Sequence, residues 1–247
     1  MTGCAIESNL IRLEIRKLVY DRPSVMADRK PTLTEIGTAA VAIAGWTGIG
    51  IQFYVTQTHP NLQNVSPFER TLRFFEYFTI LTNLLVAISA TIALAAPATS
   101  AGRFFSRTSV KTAIAVYIAL VGIVYNIVLR GLNEFTGAEL VADTLTHVAV
   151  PILYTIYWLV FVPKGSLLWR APVAWTIYPL IYLPYVLIRG SSTGRYPYPF
   201  LDVGPLGLTA VLINSMVLTA VFFALGEVFV GADKMIARFK GPVTNVQ

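Results

Sequence analysis

The chain has 247 residues, of which 55% are hydrophobic and only 13% are charged, and its formal net charge is +6. Soluble domains carry about 25% charged residues, so this composition excludes a soluble enzyme as well as a disordered or fibrous chain. The mean hydropathy of +0.64 is typical of a membrane protein. The single cysteine, Cys4, excludes an intramolecular disulfide, and no Cys/His spacing resembles a zinc site.

Residues 1–32 form a polar, basic segment ahead of the first apolar stretch. Residues 6–20 place Ile6, Leu10 and Leu13 near one helical face, which predicts an amphipathic helix on the inner membrane surface. A cytoplasmic helix that packs against the loops fits this pattern equally well. No compact basic region or cleavage pattern precedes the first span, so we interpret it as retained in the protein and not as a signal peptide.

Six apolar stretches follow, each long enough to cross roughly 30 Å of hydrocarbon with about 20 residues. Hydrocarbon offers no partner for free backbone N–H and C=O groups, so each stretch is predicted to be helical. The predicted fold class is therefore all-α, a polytopic membrane protein with a six-helix bundle in residues 33–230 and a tail in residues 231–247. The predicted spans are 33–55, 72–96, 110–131, 143–162, 171–188 and 206–230.

The distribution of lysine and arginine predicts the orientation of these spans. Fourteen of the nineteen basic residues fall in the N-terminal segment, the second and fourth connections and the tail. The positive-inside rule therefore places both termini in the cytoplasm, and a bacterial plasma membrane is the expected location. Because this asymmetry explains the basic charge, no nucleic-acid partner is predicted.

Polar side chains recur at a similar depth in the predicted outer half of the bundle. Such groups cost about 2.5 to 3.5 kcal/mol near the centre of a membrane helix, so those that remain are candidates for function. At a rise of about 1.5 Å per residue, each of five spans carries one such polar side chain about 6 to 12 Å from its outer end. These residues are Thr79, Asn126, His147, Tyr182 and Asn214. The layer predicts a buried polar cavity that opens toward the outer leaflet.

A hydroxyl beside an imidazole is the chemistry that this layer favours. His147 is the only histidine inside a span, which excludes bis-histidine haem ligation, and no phosphate-binding loop or other cofactor motif is present. As a general base, His147 can take the proton of a hydroxyl that attacks a carbonyl. A metal held by His147, Asp143 and Glu76 is a further option without a recognised ligand spacing. The candidates for orienting the ring or donating to an oxyanion are Asn83, Asn126, Asp143, Tyr182 and Asn214.

Each of these residues also has an ordinary structural explanation. Threonine and serine in membrane helices usually bond to their own backbone or across a helix interface. Asp143 is placed to cap the fourth helix, and tyrosines near the end of a span are often interfacial. The shared depth of the five side chains therefore carries more weight than any single residue.

Three short motifs resemble the bacterial branch of the androgen-induced-gene and androgen-dependent TFPI-regulating protein family. They are residues 77–85 (Tyr-Phe-Thr-Ile-Leu-Thr-Asn-Leu-Leu), 146–151 (Thr-His-Val-Ala-Val-Pro) and 196–202 (Tyr-Pro-Tyr-Pro-Phe-Leu-Asp). The last, preceded by Arg189 and Gly190, is distinctive for the bacterial branch. The resemblance covers about residues 33 to 230 and leaves the N-terminal segment unexplained.

The resemblance implies a specific activity. Animal members of the family are multi-pass membrane hydrolases that cleave fatty acid esters of hydroxy fatty acids with a threonine nucleophile and a histidine. Thr79 follows Phe78 at the matching position, and His147 stands four residues before Pro151, as in the family. The acidic residue that shortly follows the threonine in animal members is replaced here by Thr82 and Asn83, so Thr82 is an alternative nucleophile and the substrate is open.

The leading hypothesis is a membrane-embedded hydrolase of lipid esters in which Thr79 attacks and His147 acts as general base. Its expected partners are a lipid or fatty acyl ester substrate and the surrounding membrane lipids, with no cofactor and no metal required. An alternative is a lipid-binding or transport protein that holds a head group in the same polar pocket without covalent chemistry. A third interpretation is a structural bundle whose polar groups only pair across helices.

Overall fold

The computed structural model describes residues 30–240 of the chain. The predicted amphipathic segment at residues 6–20 lies outside these residues. Within the described part the structure contains helices and no β-strand, which confirms the all-α prediction there. Six of the helices are long and apolar enough to cross a membrane, as predicted. They are Leu33–Thr58, Phe78–Ala95, Thr108–Leu129, Gly137–Phe161, Ala171–Thr193 and Val203–Phe239.

Several of these spans are built from more than one helical element. In chain order the α-helices are α1 (Leu33–Thr58), α2 (Pro67–Phe75), α3 (Phe78–Ala95), α4 (Ser100–Ser106), α5 (Thr108–Val124), α6 (Gly137–Thr144), α7 (Val150–Phe161), α8 (Ala171–Trp175), α9 (Ile177–Thr193) and α10 (Val203–Lys240). Two π-helical turns, Tyr125–Leu129 and Leu145–Ala149, extend α5 and join α6 to α7. Two 3₁₀ turns, Pro60–Leu62 and Pro199–Leu201, lie in the connections.

Residues 30–36 and the chain from Gly37 onward fall into two separate compact units. In the first, Thr32 and Glu35 form a reciprocal cap at the start of α1. The Thr32 hydroxyl accepts from the Glu35 amide at 3.2 Å, and the Glu35 carboxylate accepts from the Thr32 amide at 2.7 Å. This arrangement satisfies backbone donors that the first turn of a helix leaves free.

Helix α5 is the central element of the bundle in the second unit. Ala115, Val116 and Ile118 have no exposed surface, and more than half of the residues in the most apolar part of this span are buried. By contrast, only 17% of the residues in the most apolar part of α10 are buried, and Met216 in this helix is largely exposed. Large exposed apolar faces are costly in water and natural against lipid. Six apolar helices with such faces indicate an integral membrane protein.

The second span begins at Phe78, so the predicted start at residue 72 was wrong. Ser66 caps a separate helix, α2, by accepting from the Glu69 amide at 3.2 Å, and Pro67 occupies the first helical position, which it favours. The backbone then becomes extended at Tyr77 before α3 begins. Thr79 is therefore the second residue of a membrane-length helix and does not lie 10 Å inside one.

Two other predicted boundaries also moved. The fourth span begins at Gly137 instead of Asp143, which puts His147 about 15 Å along it at about 1.5 Å per residue. The last helix continues past the predicted end of its span, to Lys240. In this extension the carboxylate of Asp233 is buried and accepts from the Leu167 amide at 3.2 Å.

The segment of residues 195–202, called here the Tyr-Pro loop, folds back onto α9. Gly194 ends α9 in the left-handed conformation, with φ of 69°, which is the usual way for a glycine to terminate a helix. The ring of Tyr196 then packs on Gly190 so closely that a Cβ atom there would lie 2.0 Å from the ring. Glycine at position 190 is therefore required for the loop to lie against the helix.

Candidate functional site

A cavity of about 950 Å³ lies among α1, the segment around Tyr77, the two π-helical turns and the Tyr-Pro loop. Its walls carry Thr79, Asp143, His147 and Tyr198 together with apolar side chains. We call it the polar cavity. Thr79, Asp143 and His147 were predicted to belong to one site, and all three line the polar cavity.

His147 is held by Asp143, one helical turn earlier. Its Nδ1 lies 2.9 Å from Asp143 Oδ1, and the second carboxylate oxygen accepts from the Tyr125 hydroxyl at 2.6 Å. The Tyr125 ring also stacks on the imidazole, with centroids 3.9 Å apart and planes 14° from parallel. With Nδ1–H donating to Asp143, Nε2 keeps its lone pair, and no described residue bonds to it. This is the arrangement that a general base requires.

The two π-helical turns position this group. His147 lies in the turn Leu145–Ala149, and Tyr125 begins the turn Tyr125–Leu129. A π-helical turn widens the backbone spiral by one residue and changes which side chains share a face. Such turns occur frequently at functional sites, and here two of them supply the stacked imidazole and phenol.

Asn83 and Asn126 complete the backbone hydrogen bonding of the histidine turn. Pro151 has no N–H, so it cannot donate to the carbonyls of Thr146 or His147. Asn83 Nδ2 donates to Thr146 O at 3.1 Å, and Asn126 Nδ2 donates to His147 O at 3.3 Å. Both amides therefore stabilise the backbone that carries the imidazole.

Asn83 also connects the histidine turn to the candidate nucleophile. Its amide nitrogen donates to Thr79 O at 2.9 Å as well as to Thr146 O. A single buried side chain thus fixes the first turn of α3 against the π-helical turn that carries His147. A buried carbonyl without a hydrogen-bond partner is energetically unfavourable, so these two bonds favour this arrangement of the two helices.

Thr79 lies at the N-terminus of α3, where the helix dipole is positive. Its side chain is largely buried and lines the polar cavity. Its amide donates to the hydroxyl of Tyr198 at 3.3 Å. Tyr77, at the cap position, provides no side-chain hydrogen bond to the helix, so the Tyr198 hydroxyl serves as a partner from a distant part of the chain.

The other predicted site residues do not line the polar cavity, and Tyr182 lines an adjoining, smaller cavity instead. Thr82 has no exposed surface, lines neither cavity described here, and its hydroxyl is 3.2 Å from that of Tyr178. The Tyr182 hydroxyl donates to Glu76 O at 2.8 Å, and Asn214 Nδ2 donates to Phe200 O at 3.0 Å. Both bonds fix backbone carbonyls next to the site.

A second, smaller cavity of about 110 Å³ adjoins the polar one. Thr79, Tyr125, Leu129 and Tyr198 line both. The remaining walls of the smaller cavity are almost entirely apolar, and we call it the apolar cavity. Its side chains include Leu120, Val121, Val124, Leu183, Leu218 and Phe222. Thr79 therefore stands where a polar space meets an apolar one.

An ion-pair cluster braces the Tyr-Pro loop against α2. Glu76, almost completely buried, binds Arg189 Nε at 2.7 Å and Arg195 Nη2 at 3.3 Å. Glu69 binds Arg189 Nη2 at 2.6 Å and Arg73 Nε at 3.2 Å. The hydrogen bond from Arg189, followed by that from Arg73, lowers the pKa of Glu69 below its ordinary value of 4.5.

Glu76, which the sequence offered as a metal ligand together with His147 and Asp143, belongs to this cluster. Glu76 is engaged by two arginines and so does not combine with Asp143 and His147. Within residues 30–240 no three His, Cys, Asp or Glu side chains are grouped closely enough to hold a metal ion.

Comparison of the chain with protein-family models, with curated proteins and with solved structures found no match.

Sequence reasoning missed two residues of the site, Tyr125 and Tyr198. Tyr125 immediately precedes Asn126 in the third span and resembles any other aromatic residue near the end of a membrane helix. Tyr198 lies within the motif of residues 196–202, but nothing in that motif distinguishes Tyr198 from Tyr196 as a site residue. Burial raises the pKa of the Tyr198 hydroxyl to about 12, so it stays protonated at neutral pH.

Proposed function

We propose that the chain is a membrane-embedded threonine hydrolase of lipid esters. The observation that carries this proposal is that Thr79 lines the same cavity as His147, whose Nδ1 is held 2.9 Å from Asp143. A hydroxyl at a helix N-terminus, an imidazole and an orienting carboxylate are the parts that nucleophilic ester hydrolysis needs. The resemblance of the threonine and histidine motifs to the androgen-induced-gene family leads to the same two residues.

The proposed reaction has two stages. Thr79 Oγ1 attacks the ester carbonyl carbon while His147 Nε2 takes the hydroxyl proton, and Asp143 stabilises the imidazolium. When the tetrahedral intermediate collapses, the ester C–O bond breaks and His147 returns the proton to the departing alcohol. Water, deprotonated by His147, then attacks the Thr79 acyl ester, and the fatty acid leaves with Thr79 Oγ1 protonated again.

The two adjoining cavities support a lipid substrate. An acyl chain fits the apolar walls, because apolar surface that leaves water is stabilised by about 25 cal/mol per Å². The alcohol half of the ester and the attacking water then lie in the polar cavity. Fatty acid esters of hydroxy fatty acids, or related acyl esters, are the substrate class that the family resemblance favours.

We further propose that the chain lies in a bacterial plasma membrane with both termini in the cytoplasm. The basic residues support this orientation through the positive-inside rule. The polar cavity is lined by His59, Asn133 and Arg195, which belong to connections predicted to lie outside. In this orientation the cavity opens toward the outer leaflet, where lipid esters can enter between the helices.

Covalent labelling with a fluorophosphonate, followed by peptide mass spectrometry, tests the proposal. The wild-type protein is expected to carry the label on Thr79, the Thr79→Ala protein to lose it, and Thr79→Ser to retain it because the hydroxyl remains. Thr82→Ala is the matched control, one turn away and outside both cavities, and is expected to label normally. Melting temperatures verify that each variant folds.

Full labelling of folded Thr79→Ala and His147→Ala proteins would contradict the assignment. The main alternative is a lipid-binding or transport protein, favoured by the fact that the apolar cavity would hold a chain without any chemistry. It predicts saturable lipid binding that survives Thr79→Ala, with no acyl intermediate. If the polar groups are only structural, Thr79→Ala and His147→Ala are expected to lower the melting temperature and to leave lipid binding unaffected.

A further inference from the structure

An ester carbonyl under attack by Thr79 develops negative charge on its oxygen, and this charge needs a hydrogen-bond donor. The amides of Asn83, Asn126 and Asn214 were the candidates from sequence. In the structure each of them donates to a backbone carbonyl, at distances of 2.7 to 3.3 Å. The Tyr125 hydroxyl is likewise engaged, because it donates to Asp143. None of the three amides lines either cavity, so a side chain in the cavity wall is the better candidate for the donor.

Tyr198 is placed to provide it. Its hydroxyl oxygen accepts the Thr79 amide hydrogen at 3.3 Å, and a hydroxyl that accepts one hydrogen bond can still donate its own hydrogen to another acceptor. The side chain lines both the polar and the apolar cavity, as Thr79 does. An acyl carbon bonded to Thr79 Oγ1 would place its oxygen beside this phenol.

The phenol is also rigidly held, which matters because preorganised donors stabilise a transition state without a reorganisation cost. Its ring stacks on Phe200 at 5.1 Å and 4°, and meets Tyr77 edge-to-face at 5.8 Å and 89°. The Tyr-Pro loop that carries it is fixed by the Arg195–Glu76 ion pair and by the packing of Tyr196 on Gly190.

We propose that Tyr198 is a catalytic residue whose hydroxyl donates a hydrogen bond to the oxyanion of the tetrahedral intermediate formed on Thr79. This role rests on the proposed function, and it deepens it by assigning a group that neither the sequence nor the family resemblance identified. The positive end of the α3 dipole, next to Thr79, adds to the same stabilisation. In this role the Tyr198 hydroxyl donates a hydrogen bond and keeps its proton.

The test compares Tyr198→Phe with Tyr185→Phe in the full-length protein, with a chromogenic acyl ester as the probe. The Tyr185 hydroxyl also makes one bond to this part of the backbone, to Phe75 O at 3.2 Å, but lines neither cavity. For Tyr198→Phe, kcat is expected to fall about 10²- to 10³-fold with KM nearly unchanged. Tyr185→Phe is expected to keep the wild-type kcat and KM.

A second measurement separates donation from mere positioning of Thr79. Fluorotyrosine at position 198 keeps the ring contacts and makes the phenol a stronger donor, so kcat is expected to rise with the acidity of the phenol while KM stays constant. A kcat for Tyr198→Phe equal to that of the wild type would overturn the proposal. So would a loss of activity that follows the melting temperature, or a kcat that does not respond to fluorination.

The outcomes distinguish this inference from the proposed function. If the wild-type protein forms no covalent adduct at Thr79, the hydrolase proposal fails, and Tyr198 has no oxyanion to stabilise. If Thr79 is labelled in the wild type and Tyr198→Phe turns over normally, only the assignment of Tyr198 is wrong.

Discussion

The two ends of the bundle both bury an aspartate, yet they differ in what surrounds it. Asp143 holds an imidazole that faces a cavity of about 950 Å³. Asp233, which has no exposed surface, accepts from the Leu167 amide, and the neighbouring Lys234 donates to Leu167 O at 2.9 Å. Neither Asp233 nor Lys234 lines either cavity. The first aspartate orients an imidazole at a cavity, whereas the second attaches a connection to a helix.

The same contrast applies to the tyrosines. Tyr157, at the end of the bundle opposite the site, accepts from Lys111 Nζ at 3.1 Å and from the Thr38 hydroxyl at 3.2 Å. These bonds join three helices and lie outside both cavities. Tyr125 and Tyr198, by contrast, bond to Asp143 and Thr79 and line the shared wall. A polar group within an apolar span is therefore a functional candidate when it faces a cavity, and not because it is polar.

The largest expected effect comes from exchanging each aspartate for asparagine. Asp143→Asn removes the carboxylate that fixes the Nδ1–H tautomer, so kcat for ester hydrolysis is expected to fall about 10⁴-fold while the fold persists. Asp233→Asn is the matched control, and it is expected to keep full activity and lose only some thermal stability. Activity assays and melting curves on the two proteins measure both effects. Equal activity losses in the two variants would remove the distinction between the ends of the bundle.

The sequence was sufficient for the six long helices, because length and hydropathy alone determine which segments can cross a bilayer. It was insufficient for the break at Tyr77. No proline or glycine marks that position, and the neighbouring Glu76 pairs with Arg189 and Arg195, more than 110 residues later. Contacts between such distant parts of the chain leave no periodic pattern in a single sequence.

The predicted layer of equal depth contained Thr79 and His147, which line the polar cavity, but also Asn126 and Asn214, which line neither cavity. The predicted depths themselves were inaccurate. Thr79 begins its helix and His147 lies further along its own, yet both line one cavity. The π-helical turns explain part of the difficulty, because residue counting assumes a regular α-helix. Tyr125 was missed for the same reason, since its approach to His147 depends on those turns and not on its spacing.

A smaller effect is expected from narrowing the apolar cavity. Leu218 lines that cavity, whereas its neighbour Val217 is exposed on the outer surface of α10. Leu218→Phe fills part of the cavity, so kcat/KM for long-chain esters is expected to fall about tenfold relative to short-chain esters. Val217→Phe is expected to leave the chain-length profile unchanged. A profile that shifts equally in both variants would mean that the acyl chain binds elsewhere.

The smallest effect concerns the ion-pair cluster and its dependence on pH. The pKa of Glu69 is lowered chiefly by the hydrogen bond from Arg189, so the folded protein retains the charged carboxylate more strongly than the unfolded chain does. The resulting stabilisation is fully present above the ordinary pKa of 4.5 and is lost as the pH falls through the lower folded value.

Glu69→Gln lacks this contribution at every pH, so its melting temperature is expected to lie about 2 °C below that of the wild type near neutral pH. The two curves are expected to converge in acid. Glu134→Gln, at an exposed carboxylate in the connection before α6, is the control and should follow the wild type throughout. A constant gap between the wild type and Glu69→Gln down to the lowest pH would mean that Glu69 stabilises the cluster by packing and not by charge. In that case the ion-pair cluster would hold the Tyr-Pro loop in place by packing, and its charges would contribute little to stability.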